Sequence, residues 1–260
     1  MIPVAVSRSL EGPLDAPAVV LGSSLGTTRA IWEPQRPLLA AERRVVSYDH
    51  RGHGEAPVPP APYSIGDLGG DVLALLDALG LASVAYCGLS LGGMVGLWLA
   101  ANAPERIESL IVICSSAHPG APERWAQRAA TVRAAGTTEP IVDAVMANWF
   151  TADFATHSPQ RFAAAKAMLL SSPVEGYVGC CNAIEGLDLR RRLPQITAPT
   201  LVISAAGDGS LPPEHGREIA TAIPGARFEL LPHGAHIANV EEESAVNTLI
   251  SEHLAVGTHV

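Results

Sequence analysis

The 260-residue chain is poor in charge and poorer still in cations. Charged residues make up 17% of it, and 17 Lys and Arg face 26 Asp and Glu for a formal net charge of -9. Nucleic acids and anionic membrane surfaces are bound through clustered Lys and Arg, so this balance argues against both as partners. An anionic substrate would need a local arginine to overcome the field of the whole molecule. No apolar stretch is long enough to cross a bilayer, and the start, Met1-Ile2-Pro3-Val4, lacks a basic segment followed by an apolar one. Cysteine is also scarce. Cys180 and Cys181 are adjacent, while Cys87 and Cys114 lie in apolar, strand-like runs, which is not the spacing of a secreted disulfide framework. A reducing, cytoplasmic setting is therefore expected. No internal repeat, low-complexity tract or Cys/His quartet with zinc spacing is present, and neither a metal nor a cofactor is expected.

What the chain does have is apolar mass, at 48% hydrophobic residues, and 24 glycines. That suits one compact α/β domain with an insertion better than two independent domains. Short β-rich runs at Ala18–Leu21, Arg44–Tyr48, Val84–Cys87, Leu110–Ile113, Thr200–Ile203 and Arg227–Leu231 alternate with helical patterns. Such alternation predicts a mostly parallel sheet with helices on both faces. One helix is expected over 67–79, where Leu68, Val72, Leu75, Leu76 and Leu79 recur at amphipathic spacing. Between about Pro119 and Leu193 strand-like runs vanish, and helical segments appear at Pro122–Ala135, Glu139–Asn148 and Pro159–Leu170. The economical organisation is a core of residues 1–118 and 194–260 with a helical cap of residues 119–193 inserted after the strand that ends near Cys114.

The stretch Gly88-Leu89-Ser90-Leu91-Gly92 carries the chemistry. A serine on a sharp strand-to-helix turn must adopt a strained backbone, and side chains two residues to either side would collide with the helix or the adjoining strand. Gly88 and Gly92 remove those side chains. The apolar run before the serine suits a buried strand, and Met94–Ala101 suits a buried helix, so the motif sits in the strand–turn–helix context of a nucleophile elbow. The same turn aims the amide of Leu91 at a reacting carbonyl, beside the positive end of a helix dipole.

A serine hydroxyl needs a general base and an acid to orient it, and both are expected downstream in the order Ser, Asp, His. Asp208 follows the strand-like Leu201-Val202-Ile203 and, despite flanking glycines that would also suit a plain turn, it is the better acid. The alternative position after Cys114 holds Ser115 and Ser116. His236 follows the last strand-like run and immediately precedes a helix start, which favours it over its neighbour His233 as the base. His215 and His253 read as solvated surface residues. A second oxyanion donor is expected in Leu21–Gly26, at the amide of Leu25, in preference to reading that loop as a simple Gly/Ser turn. Asp49-His50-Arg51-Gly52-His53-Gly54 reads as a structural brace beside the site, with neither histidine acting as base.

Over essentially its whole length the chain resembles enzymes of the α/β-hydrolase fold. Ser24-Leu25-Gly26-Thr27-Thr28, Tyr63-Ser64-Ile65, Gly88-Leu89-Ser90-Leu91-Gly92-Gly93, Trp149-Phe150-Thr151, Ser172–Tyr177 and Pro212–Gly216 together resemble the 3-oxoadipate enol-lactonases of aromatic catabolism through the β-ketoadipate pathway. The resemblance extends to Trp125-Ala126-Gln127-Arg128. It implies a lactone or ester as small-molecule substrate, a pocket with Trp125 and Arg128 in it, Arg128 placed to pair with a carboxylate, Trp149 as a wall, and Arg133 as a further candidate. Two departures stand out: Asn148 occupies a position where an arginine is common, and the acid loop reads Gly207-Asp208-Gly209-Ser210-Leu211-Pro212-Pro213. A general carboxylesterase, a C–C bond hydrolase of ring-cleavage products and a slow-turnover ligand receptor of the same fold are the competing readings. Oligomeric state is open, a homo-oligomer included.

Overall fold

A computed structural model describes residues 2–256. Seven strands form a single sheet: β1 (Arg8–Glu11), β2 (Ala18–Gly22), β3 (Arg44–Tyr48), β4 (Val84–Leu89), β5 (Ile107–Ile113), β6 (Thr200–Ala205) and β7 (Arg227–Leu231). Their order is β1-β3-β2-β4-β5-β6-β7, and all neighbouring pairs are parallel except β1 with β3. Strands β2, β4 and β6 are buried at every residue, as expected for parallel strands covered on both faces. The antiparallel edge strand β1 is the one strand that the sequence pattern does not reveal. Its Arg-Ser-Leu-Glu segment is exposed or half-buried throughout, so it has no apolar run to recognise.

The helices are α1 (Arg36–Ala40), α2 (Ile65–Ala78), α3 (Leu91–Asn102), α4 (Pro122–Ala135), α5 (Val142–Trp149), α6 (Ala152–His157), α7 (Pro159–Leu170), α8 (Val174–Glu185), α9 (Pro213–Ala222), α10 (Ala238–Glu241) and α11 (Glu243–Val256). Helix α2 begins two residues earlier than its periodicity suggests because Ser64 caps it. The Ser64 hydroxyl accepts from the amide of Asp67 at 3.2 Å, and the Asp67 carboxylate accepts from the amide of Ser64 at 2.9 Å. Helix α3 is buried almost all round, with only Trp98 and Asn102 less than fully covered. Helices α4 to α8 lie between β5 and β6 in the chain, and α4 packs on α8. Their apolar residues, among them Trp125, Val132, Trp149 and Tyr177, join the sheet residues in one continuous core. Among the described residues no helix is long and apolar enough to cross a membrane.

This topology decides where chemistry can occur. After β2 the chain moves outward to β3 and then returns past β2 to β4, so strand order reverses between β2 and β4. The carboxyl ends of the strands at such a reversal leave a crevice that loops from either side can line. The loops after β2, β4, β6 and β7 all emerge at that end.

Candidate active site

Ser90 sits between β4 and α3 at φ 53°, a left-handed conformation that costs a non-glycine residue about 1–3 kcal/mol. The flanking glycines make the turn sterically feasible. A Cβ on Gly88 would lie 2.3 Å from backbone atoms of Gly92, and one on Gly92 would lie 2.1 Å from the carbonyl oxygen of Gly22 on β2. The amide of Ser90 donates to the carbonyl of Ile113 at 2.9 Å, and the Ser115 hydroxyl donates to the Ser90 carbonyl at 2.7 Å, so the turn is held from β5 as well.

Ser90, His236 and Asp208 are far apart in sequence, and the fold brings them into one hydrogen-bonded chain. Ser90 Oγ lies 2.9 Å from His236 Nε2, and His236 Nδ1 lies 2.8 Å from Asp208 Oδ2. The other carboxylate oxygen, Oδ1, accepts from the amides of Ser210 at 2.8 Å and Leu211 at 2.9 Å. With both oxygens engaged, the carboxylate has one orientation, and the natural proton arrangement is Nδ1–H toward Asp208 with Nε2 free to accept from the serine. The histidine loop is anchored from the inserted helices: the amides of His236 and Ile237 donate to the carbonyls of Asn148 and Trp149 at 3.4 and 3.0 Å. Glu241 accepts from the amide of Ala235 at 2.9 Å. All three side chains are buried, with Ser90 the most accessible at 7%. His233 is exposed and plays no part in the chain.

Two amides in the loops beside Ser90 have no acceptor among the described residues. In the loop after β2, the Thr27 amide donates to the carbonyl of Ser24 and the Gly26 amide to His53 Nε2 at 3.0 Å, but no group among the described residues takes the amide of Leu25. At the start of α3, the Gly92 amide donates to the carbonyl of Ser23 at 2.9 Å, while that of Leu91 is unengaged. The Ser23 carbonyl thus ties the β2 loop to the elbow. His50 Nε2 also lies 3.0 Å from it, so the two histidines after β3 brace this loop from behind. Both are fully buried. Burial, then the neighbouring His53 charge, pushes His50 down to about 3, and burial pushes His53 down to about 4. Each is neutral near pH 7, which His53 must be if Nε2 is to accept from Gly26. Arg51 and Asp71 form a buried pair below them, with Arg51 Nη2 2.6 Å from Asp71 Oδ1.

The crevice above Ser90 is a narrow pocket whose walls include Leu25, Trp125, Trp149 and Tyr177, with Arg124 and Arg128 at its cationic side. Trp125, Arg128 and Trp149 are thus brought together with Ser90, as the resemblance implies. Arg133 is not. It lies on α4 with its side chain about half exposed and 3.6 Å from Glu175. At 3.6 residues per turn it is rotated about 140° from Arg128 around the helix, so it faces away from the pocket. Arg124, Val145, Tyr177 and Ile184 are among the lining residues that escape the sequence reading. Arg124 had a usable signal, since it stands four residues before Arg128 and so shares its face of α4. Two histidines that read as solvated are in fact half-buried and bonded, His215 to the Ser116 hydroxyl at 2.9 Å and His253 to the Pro199 carbonyl at 3.3 Å. Larger surface clefts, such as the acidic one lined by Leu38 and Glu241–Glu243, hold neither the serine nor the histidine. Among the described residues no cluster of three or more His, Cys, Asp or Glu could hold a metal ion.

Known proteins agree with this architecture. Residues 17–243 match the family model for the alpha/beta hydrolase fold. The chain is 37% identical to 3-oxoadipate enol-lactonase 2 of Acinetobacter baylyi over 94% of its own length and 91% of that protein's. The chain belongs to the α/β-hydrolase fold family. A crystal structure of the enol-lactonase from Burkholderia xenovorans LB400 superposes with a TM-score of 0.94 at 40% identity, covering 96% of each chain. The α/β-hydrolase relatives are not all enol-lactonases: a putative carbamate hydrolase, RutD, of Stutzerimonas stutzeri is 34% identical over 93% of this chain and 92% of its own. An ester hydrolase is the activity that the enol-lactonase relatives and the fold family support in common.

Proposed function

We propose that the chain hydrolyses 3-oxoadipate enol-lactone through a Ser90–His236–Asp208 triad, with the amides of Leu25 and Leu91 as oxyanion donors. The observation that carries this reading is the unbroken hydrogen-bonded chain from Asp208 to Ser90 at a pocket that also contains Arg128. Ser90 Oγ attacks the lactone carbonyl as its proton passes to His236 Nε2, and Asp208 holds the resulting imidazolium in place. The carbonyl oxygen becomes an oxyanion against the two unengaged amides. Collapse of the tetrahedral intermediate breaks the ring C–O bond. The departing enolate stays attached to the acyl chain, takes the proton held on His236 Nε2, which makes the imidazole a base again, and becomes a ketone. That tautomerisation lowers the demand on leaving-group protonation and makes ring opening hard to reverse. A water that loses its proton to His236 then cleaves the ester to Ser90, releasing a second carboxylate.

Substrate choice belongs to the pocket, because the triad is shared by esterases and C–C bond hydrolases alike. Arg128 would pair with the carboxylate of the lactone's acetate arm. It lies 5.1 Å from the Trp125 ring and against the Tyr177 hydroxyl, contacts that pre-set its guanidinium. We read the inserted helices, residues 119–193, as the cap that makes this choice. The four free, buried cysteines suit a reducing compartment.

The test is the decay of freshly generated enol-lactone absorbance for the wild type and Ser90→Ala, beside p-nitrophenyl acetate. Many turnovers of the lactone, abolished in the variant and well ahead of the simple ester, are expected. Good ester turnover without lactone hydrolysis would move the assignment to a general esterase. Binding with at most one turnover would make the chain a receptor. The kinship to putative carbamate hydrolases supports a second reading, since a carbamate is also a small anionic acyl compound, and carbamate should be assayed alongside.

A further inference from the structure

The cationic side of the pocket holds two arginines where the carboxylate pairing described above needs one. Arg124 and Arg128 stand on one face of α4, and both guanidiniums flank the same ring, lying 5.9 and 5.1 Å from the Trp125 centroid. Half of the arginines of this acidic chain meet a carboxylate, among them Arg29, Arg51, Arg106, Arg161 and Arg227. Among the described residues no acid pairs with Arg124 or Arg128. Around Arg124 the influences are burial and then the Arg128 charge, both disfavouring its own charge, with no acid to offset them. The Nε1–H of the same Trp125 is buried and has no acceptor among the described residues. Two neighbouring cations without an acid beside them, together with an indole donor that no protein group satisfies, favour an anion as their partner. A bound anion relieves all three.

We propose that Arg124 is a specificity-determining residue that grips, together with Arg128, the free carboxylate of the substrate's arm. The inference rests on the reading that the substrate is a lactone carrying such an arm. Arg124 is exposed at the pocket rim, whereas Arg128 is half-buried. The rim position gives Arg124 the first contact with an incoming anion in a chain whose net charge of -9 repels it.

The test compares two enol-lactones that share a ring, one with the acetate arm and one with a methyl group in its place. Arg124→Gln should lower kcat/KM for the carboxylate-bearing lactone about ten- to a hundredfold, mostly through KM. It should leave the methyl lactone within about twofold, and Arg124→Lys should recover part of the loss. Arg133→Gln, on the outer face of the same helix, should change neither. Equal losses on the two lactones, or none on the charged one, would overturn the proposal. Inhibition by adipate separates this failure from failure of the substrate assignment. If the wild type opens the methyl lactone but not the charged one, the enol-lactonase reading falls. Arg124 is then judged by whether Arg124→Gln raises the adipate inhibition constant about tenfold. Adipate that inhibits both proteins equally, or neither, overturns the proposal.

Discussion

The sharpest mechanistic consequence of this geometry concerns His53, which touches neither Ser90 nor His236. Its Nε2 accepts the amide of Gly26 at 3.0 Å, next to the Leu25 amide assigned to the oxyanion. His53→Leu removes the acceptor and leaves the buried Gly26 N–H unsatisfied, a cost of about 1–3 kcal/mol. In a chain of this size that corresponds to a fall in Tm of roughly 2–10 °C. The same change frees the loop on one side. Loss of an oxyanion donor lowers kcat about 10²–10³-fold. Because the Ser23 carbonyl still receives the Gly92 amide and still faces His50, the loop is loosened rather than released. We therefore expect about 10- to 100-fold lower kcat with KM changed little. His53→Gln offers an amide oxygen in place of Nε2 and should recover most of the rate. Steady-state kinetics on p-nitrophenyl acetate and thermal melts of the three proteins would decide it. A stable His53→Leu protein with unchanged kcat would refute the brace, as would a His53→Gln variant no better than leucine.

Asp208→Asn keeps a carbonyl oxygen for the amides of Ser210 and Leu211 but presents the wrong partner to His236 Nδ1. It should lower kcat by about 10⁴-fold with little change in melting temperature. Acid should destabilise the fold through His50 and His53. Both protonate near 6.5 in the unfolded chain, but only at about 3 and about 4 when folded. The unfolded state therefore binds more protons below pH 6.5, and stability falls as pH falls. For His53 the loss develops between pH 6.5 and about 4 and amounts to roughly 3 kcal/mol. Urea midpoints across that range should flatten in His53→Gln. An unchanged pH slope would mean that His53 is not held neutral.

Much of the fold is legible because parallel strands buried on both faces must be continuously apolar. Ala18–Leu21, Val84–Cys87, Leu110–Ile113 and Thr200–Ile203 announce themselves this way, and the observed strands extend them by at most a few residues. Strand β1 is different. It is added to the edge by its pairing with β3, and backbone hydrogen bonds leave no mark on residue type. Helix α6, six residues long with Phe154 its one buried residue, is too short to show a period, and helix α8 escapes for a different reason. The segment Val174–Glu185 is buried on so many sides, with Gly176 and Gly179 packed against Gly52 and Tyr63, that it lacks an amphipathic stripe.

The site divides along the same line. Ser90, Asp208 and His236 could be chosen because each follows a recognisable strand, and the sheet then determines that their loops meet. The pocket walls are set by how α4 and α8 lie over that sheet, which no local pattern encodes. Arg133 and Arg124 show the difference. Both are arginines on one predicted helix, and their type and charge do not separate them. What does is the helical period measured from Arg128: four residues back returns Arg124 to the same face, while five residues forward turns Arg133 toward Glu175. Once one residue of a helix is tied to the site, periodicity assigns the others, so the decisive unknown in such a cap is a single anchoring side chain.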